Sequence, residues 1–381
     1  MEGNSDNIRN WLKLVRAEGV GPVIFARLLK QFGLVESALG ASAGALAKVE
    51  GVGTKTAEEI CRTRDKFDVE KEIALAERIG VWIINIEDER YPVLLKKIYD
   101  PPPVLYIKGT LAKSDSLAVA IVGSRQCSYY GSEQASRFAH LLAAAGFTIV
   151  SGMARGIDSA AHSGALSAGG RTFAVQGCGL AKIFPPENKQ LFEKISQSGA
   201  CISELSLEFE PLGENFPPRN RIIAGLSLAT IVIEASPRSG ALITAKAALE
   251  NSREVMATPG RIDSPLSKGP HSLIKQGAKL VETVEDVIET LEYLQNDFKE
   301  FVSESVKQSV QKAQMPLFDV TQLKLTEAEK KIFDCLDTEP VHIEQIINQT
   351  DIAAGKANAA LISLRLKGIA KQLPGNYFVK R

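Results

Sequence analysis

The feature that most narrows the fold is a run of short apolar segments, each closed by glycine or a small residue and each followed by a helix-patterned stretch. Between Phe67 and Leu294 the segments read "LAVAIVG", "FTIVSG", "TFAVQGCG", "ACISEL", "ATIVIEA" and "EVMATPG". Between them lie "SEQASRFAHLLAAAG", "IDSAAHSGALSAG", "ENKQLFEKISQSG", "RNRIIAGLS" and "GALITAKAALENS". Strands that are apolar throughout are what a sheet buried on both faces requires. Their alternation with helices reads as a parallel, doubly wound, Rossmann-like α/β core. Upstream, "VWIINIEDERYPVLLKKIYDPPPVLYIKG" supplies two more strand-like runs, and Pro101, Pro102 and Pro103 exclude helix at that point.

In such a sheet, ligands sit in the crevice at the carboxyl ends of the strands. The turns that fall there are Gly123-Ser124-Arg125, the run from Ser151 to Asp158 with Gly152, Arg155 and Gly156, then Gly177-Cys178-Gly179, and Ser236 to Gly240 with Ser239. Backbone N–H groups at helix starts, small hydroxyls and arginines suit an anion with several phosphate positions. A dinucleotide loop would read G-x-G-x-x-G, but here Gly123 is followed by Ser124 and Arg125. The stretch "NFPPRNRIIAGLS" sets Phe216 beside a proline-stiffened approach to Arg219, Asn220 and Arg221. One aromatic face beside two guanidinium groups can stack a free base and hold the neighbouring phosphates, which grips single strands without sequence preference. The packing alternative makes Phe216 a core plug and pairs Arg219 or Arg221 with Glu204 or Glu234.

Catalytic signatures are missing: there is no G-x-S-x-G, G-x-x-x-x-G-K-[ST] or H-E-x-x-H. His162 follows Asp158 by one helical turn and is expected to serve structure. The 45 Lys and Arg balance the 45 Asp and Glu, so any basic surface must be local. Five scattered cysteines and no His at ligand spacing point to reduced thiols, no metal and no cofactor. No leader pattern and no apolar run of membrane length stand in the sequence, so a cytoplasmic protein that avoids membranes is expected.

The flanks differ from the core. "AEGVGPVIFARLLKQFG" and "VEGVGTKTAEEICRTR" echo each other as paired helix-hairpin-helix-like units, the hairpins either holding a DNA phosphate or merely turning the chain. After a linker, three helices and a hairpin around Pro374-Gly375-Asn376 read as a winged helix. From Lys356 to Arg381 that end holds no acid, and Lys356, Arg365, Lys367 and Lys371 are candidates for duplex DNA or partner contact. The expected division is therefore 1–66 helical, 67–295 core, 296–323 linker and 324–381 winged helix. Within the linker, Gln314, Leu317 and Phe318 of "QMPLFD" resemble the Gln-x-x-Leu-Phe peptide that docks the sliding clamp, the alternative being that Leu317 and Phe318 pack onto the winged helix.

"IVGSR", "IVSGMARGIDSAAH", "FPPEN", "FPPRNRIIAGLS" and "IEASPRSGALITA", ending in "ATPG", together resemble the DNA-processing protein A family, also called DprA or Smf. The resemblance implies a bacterial single-stranded DNA-binding protein, a homodimer through its core, that protects DNA taken up in natural transformation and helps load the RecA recombinase. It places Gly123, Ser124, Arg125, the Ser151 to Asp158 turn, Phe216, Arg219 and Arg221 at or near the DNA. Phe184 stands where that family often has Tyr, so no hydroxyl role carries over. The core is also similar to phosphoribohydrolases of nucleoside monophosphates, whose turn is followed by a catalytic Glu. Ile243 and Thr244 stand near that place and Glu250 is too far along, which removes the general acid or base. The phosphoribohydrolase stays as an alternative, and a non-catalytic nucleotide-binding module is a third.

Overall fold

The computed structural model describes residues 2–294, 325–337, 339–366 and 369–380. The chain opens with six helices: α1 (Glu2–Val15), α2 (Pro22–Phe32), α3 (Val35–Gly40), α4 (Ala43–Leu46), α5 (Thr54–Thr63) and α6 (Val69–Ile79). The two Gly-Val-Gly hairpins precede α2 and α5, and Gly19 and Gly51 take φ of 85° and 83°, a conformation that a side chain would strain. Trp11 and Phe25 stack at 4.9 Å at the centre of this unit. Its core runs on without a break into Tyr106, Phe192 and Ile195 of the sheet domain.

The strands β1 (Trp82–Asn85), β2 (Val104–Gly109), β3 (Ala118–Val122), β4 (Thr148–Ser151), β5 (Thr172–Val175), β6 (Ala200–Ser203), β7 (Ala229–Val232), β8 (Glu254–Ala257) and β9 (Lys279–Leu280) form one sheet. Its order is β1-β2-β6-β5-β4-β3-β7-β8-β9. From β6 to β9 every pairing is parallel, whereas β2 runs antiparallel to both β1 and β6. The helices are α7 (Val93–Lys96), α8 (Tyr129–Ala144), α9 (Ile157–Ser167), α10 (Lys189–Ser198), α11 (Phe216–Gly225), α12 (Gly240–Glu250), α13 (Lys268–Lys275) and α14 (Val284–Leu294).

Strand β3 shows why this region is apolar throughout. Val119 and Ile121 pack with α8, α9 and α14, while Ala118, Ala120 and Val122 pack with α11, α12 and α13 on the opposite face. Fully burying one such Val or Ile stabilises by about 1.5–3 kcal/mol, and both faces draw on it. The turn after β3 leads to α8 on one face, and the turn after its neighbour β7 leads to α12 on the other. That divergence opens a crevice at the carboxyl end of the sheet.

The last unit comprises α15 (Glu327–Cys335), β10 (Val341–His342), α16 (Ile343–Thr350), α17 (Ala354–Leu366), β11 (Ala370–Leu373) and β12 (Tyr377–Lys380). A capping box between Thr326 and Glu329 starts α15. The three strands form a small sheet with β12 in the centre, and β10 is a strand that the sequence reading did not identify. The buried cluster around Ile332, Phe333, Leu361 and Phe378 draws only on this unit. It meets the sheet domain through exposed ion pairs, Lys371 with Glu133 at 3.3 Å and Arg261 with Glu339 at 2.9 Å.

Candidate nucleic-acid interface

The sequence reading places a helix start at Arg219, after a proline-stiffened approach. Instead α11 begins at Phe216, with Pro217 and Pro218 in its first turn, where a missing N–H costs nothing. Phe216, Arg219, Asn220 and Ile223 then share one face at helical spacing, and all four line a crevice of about 550 Å³. Its other walls are Gly123, Ser124 and Arg125 after β3, Arg155 after β4, and Ser239 and Gly240 after β7. The N-terminal ends of α9, α11 and α12 converge there, each bringing a partial positive charge.

The floor and the rim are built differently. Arg219 is 5% exposed and donates from Nη1 to the carbonyls of Gly152, at 2.8 Å, and Val175, and from Nε to Asn220 Oδ1. Burial pushes its pKa down to about 10 against the pull of Asp158, so it keeps its charge at neutral pH. Burial raises the Asp158 carboxyl above its usual range, opposed by the charge of Arg219 and by N–H donors from Gly152 and Ala154 at 3.1 and 3.2 Å. This buried pair holds the turn between β4 and α9. At the rim, Arg125 is exposed and its guanidinium stands 5.5 Å from the Phe216 ring centroid. The guanidinium of Arg219 lies 5.7 Å from the same ring, and Phe184 packs at 5.6 Å. Arg155, also exposed, pairs with Glu187 across the surface. Ser239 caps α12 by accepting from Ala241 N–H, and Asn220 donates to the Gly240 carbonyl at 3.2 Å.

Three of the expected residues support the crevice from behind. Ser151 is fully buried and donates to the Ile121 carbonyl at 2.7 Å. Gly152 lies against Arg219 and Asp158, and Gly156, with φ of 74°, lets α9 start so close that a Cβ would stand 2.4 Å from the Ser124 carbonyl. Arg221 is the clearest correction. It leaves the crevice entirely, with Nη2 on Glu204 Oε2 at 2.6 Å and Nε on Asp100 Oδ2 at 3.0 Å, because it falls on another face of α11. Glu234 holds Ser128 through its N–H and hydroxyl, at 2.8 and 2.7 Å, and pairs with no arginine among the described residues.

The sequence reading does not include Gln126 and Ile243 as crevice residues, and the structure places both there. Ile243 is 44% exposed on the first turn of α12, an apolar side chain facing open space, and its spacing three residues after Gly240 is the signal that could have found it. His162 does not pair with Asp158. Thr172 donates its hydroxyl to Ile149, so His162 donates from Nδ1 to Thr172 Oγ1 at 2.7 Å. Burial pushes the His162 pKa down to about 3.

In the winged helix, Lys356 and Arg365 are exposed, while Lys371 bonds Glu133 and stands 5.2 Å over the Tyr129 ring. Lys367, Gln314, Leu317 and Phe318 lie outside the described residues. Around the hairpins, Arg27 donates to the Glu50 carbonyl at 2.9 Å and Arg62 pairs with Glu18 at 3.1 Å. Among the described residues no helix is long and apolar enough to cross a membrane.

Comparison with known proteins agrees with this layout. The family model described as DNA recombination-mediator protein A matches residues 82–292. Models for a DprA-like N-terminal HHH domain and a DprA winged helix domain match residues 5–74 and 319–376. The chain is 36% identical to Protein Smf of Synechocystis over 97% of this chain and 98% of that one. The X-ray structure of DNA processing protein A from Streptococcus pneumoniae superposes with a TM-score of 0.65 at 36% identity, over 74% of this chain and 97% of that one. A structure of DNA processing protein A from Helicobacter pylori, described by its single-stranded DNA binding mode, superposes at 0.50 and 30% identity over 56% and 96%. With its sheet core, helical front unit and winged helix all matched in order, the chain belongs to the DNA recombination-mediator protein A family.

Proposed function

We propose that the crevice binds single-stranded DNA and that the chain protects such strands and hands them to a RecA-type recombinase in natural transformation. The observation that carries this reading is the Phe216 ring, flanked by the guanidinium groups of Arg125 and Arg219 at 5.5 and 5.7 Å, where helix N-termini converge. A base can stack on that ring, and phosphates can be held by Arg125, Arg155, the hydroxyls of Ser124 and Ser239 and the N–H of Gly240 at the start of α12. Arg219 and Asn220 act from the floor. The relative from Helicobacter pylori, described by its single-strand binding, supports the reading.

The chain is not an enzyme in this reading: the crevice carboxylate, Asp158, is occupied by two backbone N–H groups and buried. It works in the cytoplasm as a homodimer, divided at 66, 295 and 323. Lys356, Arg365, Lys367 and Lys371 offer the winged helix a duplex or partner contact, and Gln314, Leu317 and Phe318 offer a clamp-docking peptide. Fluorescence anisotropy with single-stranded and duplex oligonucleotides at two salt concentrations tests the central claim. Salt-sensitive single-strand binding that Arg125→Ala weakens supports it. Indifference of the wild type to single strands, or of the binding to Arg125→Ala, overturns it in favour of a mononucleotide site.

A further inference from the structure

Resting on the single-strand reading above, we propose that Arg221 is a positioning residue for strand binding: it touches no phosphate and acts through Phe216, by locking the rotation of α11. It stands five positions after Phe216, which places it about 140° round the helix from the crevice face. Its side chain is 13% exposed and lies between Glu204 and Asp100 at 2.6 and 3.0 Å.

Both carboxylates are anchored outside α11. The Glu204 carbonyl accepts from Arg16 Nη2 of the helical front unit at 2.8 Å. Three residues on, Leu207 N–H donates to Glu72 Oε1 of α6 at 2.8 Å. Asp100 belongs to the segment that Tyr91 ties down by donating to the Pro102 carbonyl at 2.8 Å. At its far end α11 packs through Gly225 against Leu95 and Ile98. At its near end Phe216 rests so closely on Gly177 that a Cβ there would stand 2.8 Å from the ring. The Arg219 and Asn220 hydrogen bonds hold the crevice face of α11, and the two Arg221 ion pairs hold the opposite side. With both sides fixed the ring is presented at one angle, and the ion pairs connect the front unit to the crevice through Arg16 and Glu204.

A phosphate ligand and a positioning residue respond oppositely to loss of Glu204. If Arg221 were a ligand, Glu204→Gln would free it and tighten binding, and Arg221→Ala would lower the salt dependence by about one phosphate contact. As a positioning residue, Arg221→Ala and Glu204→Gln each weaken binding, by roughly 5- to 20-fold, with the salt dependence of the wild type, and the double variant is no worse than the poorer single.

The experiment is anisotropy of the full chain with a labelled oligothymidylate over a salt series, for wild type, Arg221→Ala, Arg221→Lys, Glu204→Gln and the double variant, with Arg125→Ala alongside. A strand carrying 2-aminopurine, read at saturating protein, reports base stacking apart from affinity. We expect weaker stacking in Arg221→Ala and Glu204→Gln, and partial recovery in Arg221→Lys. Tighter binding by Glu204→Gln, a lower salt dependence in Arg221→Ala, or unchanged binding and stacking in both overturns the proposal. If Arg221→Ala fails to fold, Glu204→Gln and Arg221→Lys decide by the same criteria. Failure of Arg125→Ala to weaken binding would count against the single-strand reading itself and is read separately.

Discussion

The Gly-Val-Gly hairpins and the Gly-rich turns of the sheet share a local design, a glycine turn delivering a helix N-terminus to the surface. They differ in what stands around that end. Beside the hairpins, Glu18 and Glu50 occupy the available arginines Arg62 and Arg27. At the crevice, Arg125 is exposed over an aromatic ring and three helix ends meet. A helix end alone is a weak partial charge, and it becomes an anion site where neighbouring side chains add positive charge and leave space.

The largest test of that contrast is Arg219→Ala. Removing a buried cation leaves Asp158 without its countercharge, and a loss of about 3–5 kcal/mol in stability is expected, read as a lower denaturant midpoint with weakened strand binding. An unchanged midpoint would mean that the floor does not organise the crevice. Acid comes next. His162 has its folded-state pKa depressed to about 3, so its contribution is present above its unfolded value near 6.5 and is lost as pH falls through that window. Each unit of pH within it costs about 1.4 kcal/mol. The helical front unit has no histidine, so hydrogen exchange at pH 5 should show the sheet domain loosening first, and His162→Gln should flatten the slope.

Phe216→Ala is expected to weaken strand binding by about 1–3 kcal/mol, the worth of one stacked base, with salt dependence unchanged. Arg125→Ala should do the reverse in kind, lowering the salt dependence by about one contact with little effect on thermal stability. The smallest effect should come from Glu18→Gln with Glu50→Gln, which leaves single-strand affinity at the wild-type level. A marked gain in that double variant would make the hairpins a second site and break the contrast.

Much of this was legible in the chain. The strand runs, their glycine ends and the apolar character of both faces follow from burial, and the three-part layout followed with them. The antiparallel direction of β2 was not legible, because strand direction is settled by what packs alongside it. The start of the Phe216 helix escapes the sequence reading for a local reason: Pro217 and Pro218 read as a stiff approach to the helix, although a first turn tolerates both. Starting the helix at Phe216 would have put Arg219, Asn220 and Ile223 on its face and excluded Arg221. Several glycines of the crevice turns also serve close packing, since Gly123, Gly152 and Gly156 each have a neighbour within 3 Å of where a Cβ would stand.

The winged helix keeps a hydrophobic core of its own and touches the sheet domain through exposed charges, Lys371 to Glu133 and Arg261 to Glu339. Pairs of that kind are weak and are screened by salt. Ionic strength should therefore alter the hydrodynamic radius of the molecule while its circular dichroism stays constant, and scattering profiles collected in one buffer alone will describe a shape that belongs to that buffer.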